Sequence, residues 1–158
     1  MHNLVPMLDL LEELRNVIAR IDDAGVPYAL CGGLAMAVHG YPRATVDIDL
    51  LVMVDDLARV DAAVRPLGFV VPAEPMTFNG GAVEIRRVSK IHASGQVLSL
   101  DLLLVTPALQ PVWEGREAME WDFGKISVVS RDGLISLKSL RGSGLDQDDI
   151  KHLRGTSE

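Results

Sequence analysis

The stretch Val46-Asp47-Ile48-Asp49-Leu50 constrains this chain most. Side chains alternate faces along a strand, so Asp47 and Asp49 share one face while Val46, Ile48 and Leu50 take the other. One face can enter a core, and the other must carry two carboxylates. Two such charges about 4 Å apart repel by roughly 4 kcal/mol at an effective dielectric near 20. A divalent cation removes that cost, and paired carboxylates with open positions suit Mg²⁺. The bland alternative is a face that meets solvent or an arginine. A third acid, Asp101, lies inside Leu98-Ser99-Leu100-Asp101-Leu102-Leu103-Leu104, within a run that reads as a buried strand from Val97 to Val105. An acid in such a run is paired or coordinated. It either bridges to Arg86 or Arg87 on the preceding strand or joins Asp47 and Asp49 if the two strands are neighbours.

The surrounding pattern predicts a mixed α/β (α+β) fold. Leu4, Leu8, Leu11, Leu14, Ile18 and Ile21 recur at helical spacing, with Pro6 near the start and Gly25 and Pro27 as stops. Tyr28–Cys31 reads as a short buried strand and Leu34–Val38 as an apolar helix. Val46–Val54 follows as a strand, then a helix capped by Asp55 or Asp56 with a Leu57, Val60, Val64, Leu67 stripe closed by Gly68. Phe69–Val71 and Ala82–Val88 read as strands around a turn-rich segment from Pro72 to Gly81. Pro107–Phe123 reads as a short helix plus loops, with Trp113 and Trp121 assigned to the core. Lys125–Val129 is a last strand, and Asp132 and Asp146 can cap two closing helices. Strands and helices alternate irregularly, without repeats or linkers, so one domain spanning residues 1–158 is expected.

Composition narrows the setting. A 48% hydrophobic, 23% charged chain of 158 residues can build a core and is not a disordered one. The single Cys31 allows no internal disulfide and suits a cytoplasmic protein. No leader segment and no membrane span is expected. A net charge of −7 argues against a broadly basic nucleic-acid surface.

Gly32-Gly33 stands between a strand and a helix. Glycine permits close backbone approach and positive φ, and free N–H groups at a helix start favour phosphate, although most such pairs are simple turns. Cys31-Gly32-Gly33, thirteen intervening residues, Asp47-Ile48-Asp49 and then Asp101 together resemble the nucleotidyltransferase superfamily with the DNA-polymerase-β-like fold. His39-Gly40 and Arg43-x-Thr45-x-Asp47-x-Asp49 look more like its AbiEii-type group, often the toxin half of toxin–antitoxin systems. The resemblance resumes at Leu134–Lys138 and Asp146–Ile150.

It implies a mixed sheet flanked by helices and a Mg²⁺-dependent transfer of an NMP group from an NTP to a hydroxyl. The acceptor would be an RNA end, a protein or a small molecule. Asp47 and Asp49 would hold Mg²⁺ on the triphosphate, and Asp101 would complete a second metal and help activate the hydroxyl. Gly32 and Gly33 would cradle phosphates, with Arg43, Thr45 and Lys138 contributing to nucleotide binding. The plain readings are a structural bond for Arg43 and a solvated charge for Lys138. Ser143 and Leu145 stand where relatives often carry Arg and Lys, with Arg141 a turn earlier. That departure favours the alternative of a catalytically silent nucleotide-binding or protein-interaction domain of the same fold, held by a partner such as an antitoxin. Cys31 reads as a small buried residue and His39 as a loop-packing one.

Overall fold

The computed structural model describes residues 8–41, 45–141, 150–151 and 153–155. Its frame is one sheet of eight strands. These are β1 (Ala29–Cys31), β2 (Asp47–Val52), β3 (Val71–Pro72), β4 (Met76–Phe78), β5 (Val83–Ile91), β6 (Val97–Leu104), β7 (Glu117–Trp121) and β8 (Gly124–Val128). The order is β3-β5-β6-β2-β1-β8-β7, with β4 also paired to β5. The pairs β2–β6 and β1–β8 are parallel and the others antiparallel.

The centre of the sheet is built from the two most apolar strands. Ile48 and Leu50 of β2 and Leu98, Leu100 and Leu102 of β6 point to one face, where none is more than 1% exposed. Helix α1 (Leu10–Asp23) covers this face with Leu14, Val17, Ile18 and Ile21 and packs against helix α3 (Leu57–Val64). A nearly buried ion pair ties α1 to the sheet, with Lys90 Nζ donating to Glu13 Oε2 at 2.9 Å. Helices α2 (Gly32–Val38), α4 (Gln110–Glu114) and α5 (Arg131–Arg141) complete the fold, and α4 packs on α5.

Several local expectations change. Helix α1 starts at Leu10, where the Asp9 carboxylate accepts from the Glu12 N–H, so Leu8 lies before it. Gly32-Gly33 is the first turn of α2 rather than a turn ahead of it. Asp56 stands at the N-cap of α3 as expected, but its carboxylate makes no cap bond and accepts from Arg59 Nη1 at 3.2 Å. At α5 the hydroxyl of Ser130, not Asp132, accepts from the Gly133 N–H at 3.1 Å. The segment from Pro72 to Gly81 contains β4, and the loops after α4 contain β7. The Asp146-capped helix lies largely outside the described residues, as do Ser143 and Leu145. Among the described residues no helix is long and apolar enough to cross a membrane.

Candidate active site

The acids are placed by sheet register. In the parallel ladder Asp49 of β2 stands opposite Asp101 of β6, and Asp47 stands opposite Ser99. In the antiparallel ladder Arg87 of β5 stands opposite Asp101, and Ser89 stands opposite Ser99. Asp47, Asp49 and Asp101 therefore share the face opposite α1: the spacing predicts this of Asp47 and Asp49, and the β2–β6 register adds Asp101. Asp101 is buried, and Asp47 and Asp49 are half-buried.

Arg87 is the residue the sequence left ambiguous. Its Nε donates to Asp101 Oδ1 at 2.7 Å and its Nη2 to Asp101 Oδ2 at 2.9 Å, a two-pronged fork. The hydrogen bonds to Asp101, and then the charges of Asp101, Asp47 and Asp49, raise the Arg87 pKa; burial opposes them. The ion pair expected as the bland reading of Asp101 is present, and the arginine is 87 rather than 86. A strand's period of two puts these neighbours on opposite faces, and only the β5–β6 register decides between them.

Gly32 brings the first turn of α2 to the acids. Cys31 is paired with Asp49 across β1 and β2, and Gly32 opens α2 at φ +68°. A Cβ on Gly32 would lie 2.7 Å from the Asp49 carboxyl carbon, closer than packed atoms approach. The Asp49 side chain thus rests against bare backbone. A Cβ on Gly33 would lie 2.9 Å from Thr45, so that pair packs in the same way. Lys138 of α5 is 7% exposed and lines a cavity of about 20 Å³ together with Gly32 and Asp49. That volume holds roughly one water or ion. Lys138 is therefore not the solvated charge of the plain reading but a buried residue beside an acid of the candidate site. Arg43 lies outside the described residues. His39 Nε2 sits 2.8 Å from the Val129 carbonyl, a packing contact, and Cys31 is buried. Trp113 is buried with Arg116 over its ring at 3.9 Å, and Trp121 meets Phe123 edge-on.

Among the described residues no three acids, histidines or cysteines are arranged to hold one metal ion. The donor chemistry nevertheless fits a divalent cation. Burial, and then the Asp101 charge, raise the Asp47 pKa, and Arg87 offsets this only in part. Negative charge at Asp47 is thus incompletely compensated. A carboxylate has about four lone-pair sites, so the Arg87 fork leaves one free on each Asp101 oxygen.

This electrostatic imbalance has a testable consequence. The Asp47 carboxyl holds its proton more tightly in the folded chain than in the unfolded one, so ionising it at neutral pH costs native stability. Without divalent cations, Asp47→Asn is expected to melt above the parent chain at pH 7. The gap should close as pH falls through the raised pKa and the parent carboxyl becomes neutral. Melting followed by circular dichroism at pH 7 and in acid checks both halves.

No family model and no curated protein sequence matches the chain. Solved structures match along most of their lengths. An antigenic nucleotidyltransferase-like protein from Paracoccidioides brasiliensis aligns at 20% identity and TM-score 0.55, over 89% of this chain and 74% of that one. ANT(2")-Ia in complex with adenylyl-2"-tobramycin aligns at 14% identity and TM-score 0.63, over 94% and 90%. The lincosamide antibiotic adenylyltransferase LnuA, lincomycin-bound, aligns at 18% identity and TM-score 0.55, over 96% and 98%. At these identities the likeness is one of architecture, and the mixed sheet that carries Asp47, Asp49 and Asp101 is a nucleotidyltransferase-like fold.

Proposed function

We propose that this protein is a Mg²⁺-dependent nucleotidyltransferase that moves an NMP group from an NTP to a hydroxyl. The observation that carries the reading is the Asp49–Asp101 register pair with Asp49 resting on Gly32. Fold alone does not fix chemistry, and these side chains are what favour this one. Asp47 and Asp49 would hold the cation that the incoming triphosphate brings, with Asp101 as a third acid beside them. Bound there, one or two Mg²⁺ ions would neutralise phosphate charge as the attacking and leaving oxygens exchange.

The chain's own residues do the rest. The first turn of α2 would offer backbone N–H groups to a phosphate held on the cation beside Asp49, and Lys138 would supply a positive charge from α5. Thr45 shapes the other wall of that turn, and Arg43 would close the loop side. The acceptor oxygen forms a bond to the α-phosphorus, the bond to the β-phosphate oxygen breaks, and pyrophosphate leaves. Asp101 receives the hydroxyl proton on an oxygen lone pair that the Arg87 fork does not occupy.

A small hydroxylic molecule is the acceptor class favoured here. Adenylyl-2"-tobramycin and lincomycin are bound in neighbours of this fold, and a net charge of −7 disfavours an RNA chain. His39-Gly40 and Arg43-x-Thr45-x-Asp47-x-Asp49 support an AbiEii-type toxin role, in which an antitoxin protein would be the partner and a protein or an RNA end the acceptor. One observation favours a second reading, a nucleotide-binding domain without turnover: Arg87 already occupies both oxygens of Asp101.

Incubation with α-³²P-labelled NTPs, Mg²⁺ and either aminoglycosides, lincosamides or total RNA and lysate protein tests these readings. Labelled product is expected, abolished by Asp47→Ala and by chelation of Mg²⁺. Transfer that survives Asp47→Ala and Asp49→Ala overturns the mechanism. Mg-NTP binding without transfer to any acceptor selects the silent domain.

A further inference from the structure

A second cleft opens on the opposite face of the sheet, away from the acids. Its volume is about 270 Å³, and it lies between α3 and strands β3, β5 and β6. Leu57, Phe69, Val88 and Leu102 form an apolar floor. Arg65 and Arg86 stand on its walls, with Asp61 one helical turn from Arg65. The ion pairs among the described residues include Arg15–Glu12, Arg59–Asp56, Arg87–Asp101 and Lys90–Glu13. Neither Arg65 nor Arg86 belongs to any of them. Arg86 is half-buried and Arg65 exposed, and among the described residues neither pairs with a carboxylate.

We infer that this cleft is a binding site for a small organic monoanion, a carboxylate or sulfonate on an apolar body. Three guanidiniums line the cleft, but Arg87 is balanced by Asp101, so Arg65 and Arg86 against Asp61 leave a local charge of about +1, which matches one negative group and not a polyphosphate. Guanidinium groups bind planar or tetrahedral oxyanions through paired N–H donors, and the apolar floor receives the remainder of the ligand. The volume admits a body about the size of a phenyl ring with a short acid chain, near the lower limit for ligand sites. The site shares its wall with the acid cluster: Arg86 precedes Arg87, and Leu102 follows Asp101. It stands independently of the proposed transfer reaction.

A ¹⁵N-resolved NMR titration of the full chain with sodium 3-phenylpropionate tests the inference. Saturable shifts are expected at the amides of Val70, Arg86 and Val88, with none centred on Gly32 or Asp49. Arg65→Ala with Arg86→Ala should weaken binding about tenfold or more. Asp61→Asn should tighten it, because the remaining charge rises. Leu57→Trp, which fills the floor, should abolish it while leaving the fold intact by circular dichroism. An affinity unchanged in the double arginine variant overturns the site. So do shifts that never saturate at millimolar probe, or shifts centred elsewhere.

Discussion

Replacing Arg87 by methionine is expected to destabilise the chain by about 3 kcal/mol, because Asp101 would be left buried with no countercharge. The Asp101 side chain is 8% exposed and that of Arg87 is 36% exposed. Breaking a fully buried pair costs about 3–5 kcal/mol, and the exposed edge of Arg87 puts this pair at the lower end. For a chain of this length such a loss lowers Tm by roughly 6–12 °C. Methionine keeps much of the arginine stem packed on β5, so the loss reports the guanidinium and not a cavity. Asp101→Asn is expected to cost less, since its amide can still meet neighbouring polar groups. The double variant should recover part of the loss of Arg87→Met, because no charge is then stranded. Additive losses across the three variants would show that the fork contributes nothing beyond two separate residues. Thermal melts of the four proteins in one buffer, without divalent cations, decide the matter.

The same pair marks where the sequence stops being legible. Asp47 and Asp49 share a face wherever residues 46–54 form a strand, so their common orientation follows from a period of two. The neighbouring strand could be anticipated from Leu98–Leu104, since so apolar a run needs cover on both sides. Its register could not: Asp101 stands opposite Asp49 through the parallel β2–β6 pairing of strands distant in sequence, and opposite Arg87 through the β5–β6 hairpin. The expected strand ended at Val88, yet β5 runs on to Ile91, and the added residues carry the Ser89–Ser99 hydroxyl pair at 3.2 Å and the Lys90–Glu13 bridge. Strand β7 escaped for another reason. Glu117-Ala118-Met119-Glu120-Trp121 shows no clean alternation, and it is an edge strand paired only with β8, so little of it needs burial. Lys138 is the opposite case. A lysine in Leu134-Ile135-Ser136-Leu137-Lys138 reads as the polar side of a helix, but α5 turns that position toward Gly32 and Asp49. Burial of a cation is a tertiary outcome that helical periodicity does not encode.

Gly32→Ala is expected to damage the candidate site more than any other single methyl group added to a glycine. Two costs combine there. At φ +68° an L-residue pays about 1 kcal/mol or more in backbone strain. The new methyl would also stand 2.7 Å from the Asp49 carboxyl carbon, so the carboxylate must leave its place or the first turn of α2 must move. Gly40→Ala separates these costs. Gly40 has φ +93° on the loop after α2, and among the described residues a Cβ there meets nothing within 4 Å. Strain alone should lower the stability of Gly40→Ala while its Mg-NTP affinity stays at the parent value. Gly32→Ala should lose a similar amount of stability and also bind Mg-NTP about tenfold or more weakly, because a displaced Asp49 no longer faces the glycine turn. Gly33→Ala lies between them: its φ is not positive, and its methyl would press on Thr45 at 2.9 Å instead of on an acid. Equal nucleotide affinity in all three variants would detach Asp49 and the glycine turn from nucleotide binding, even if every variant still folds. A graded loss, largest at Gly32 and absent at Gly40, would tie binding to the place where bare backbone meets a carboxylate.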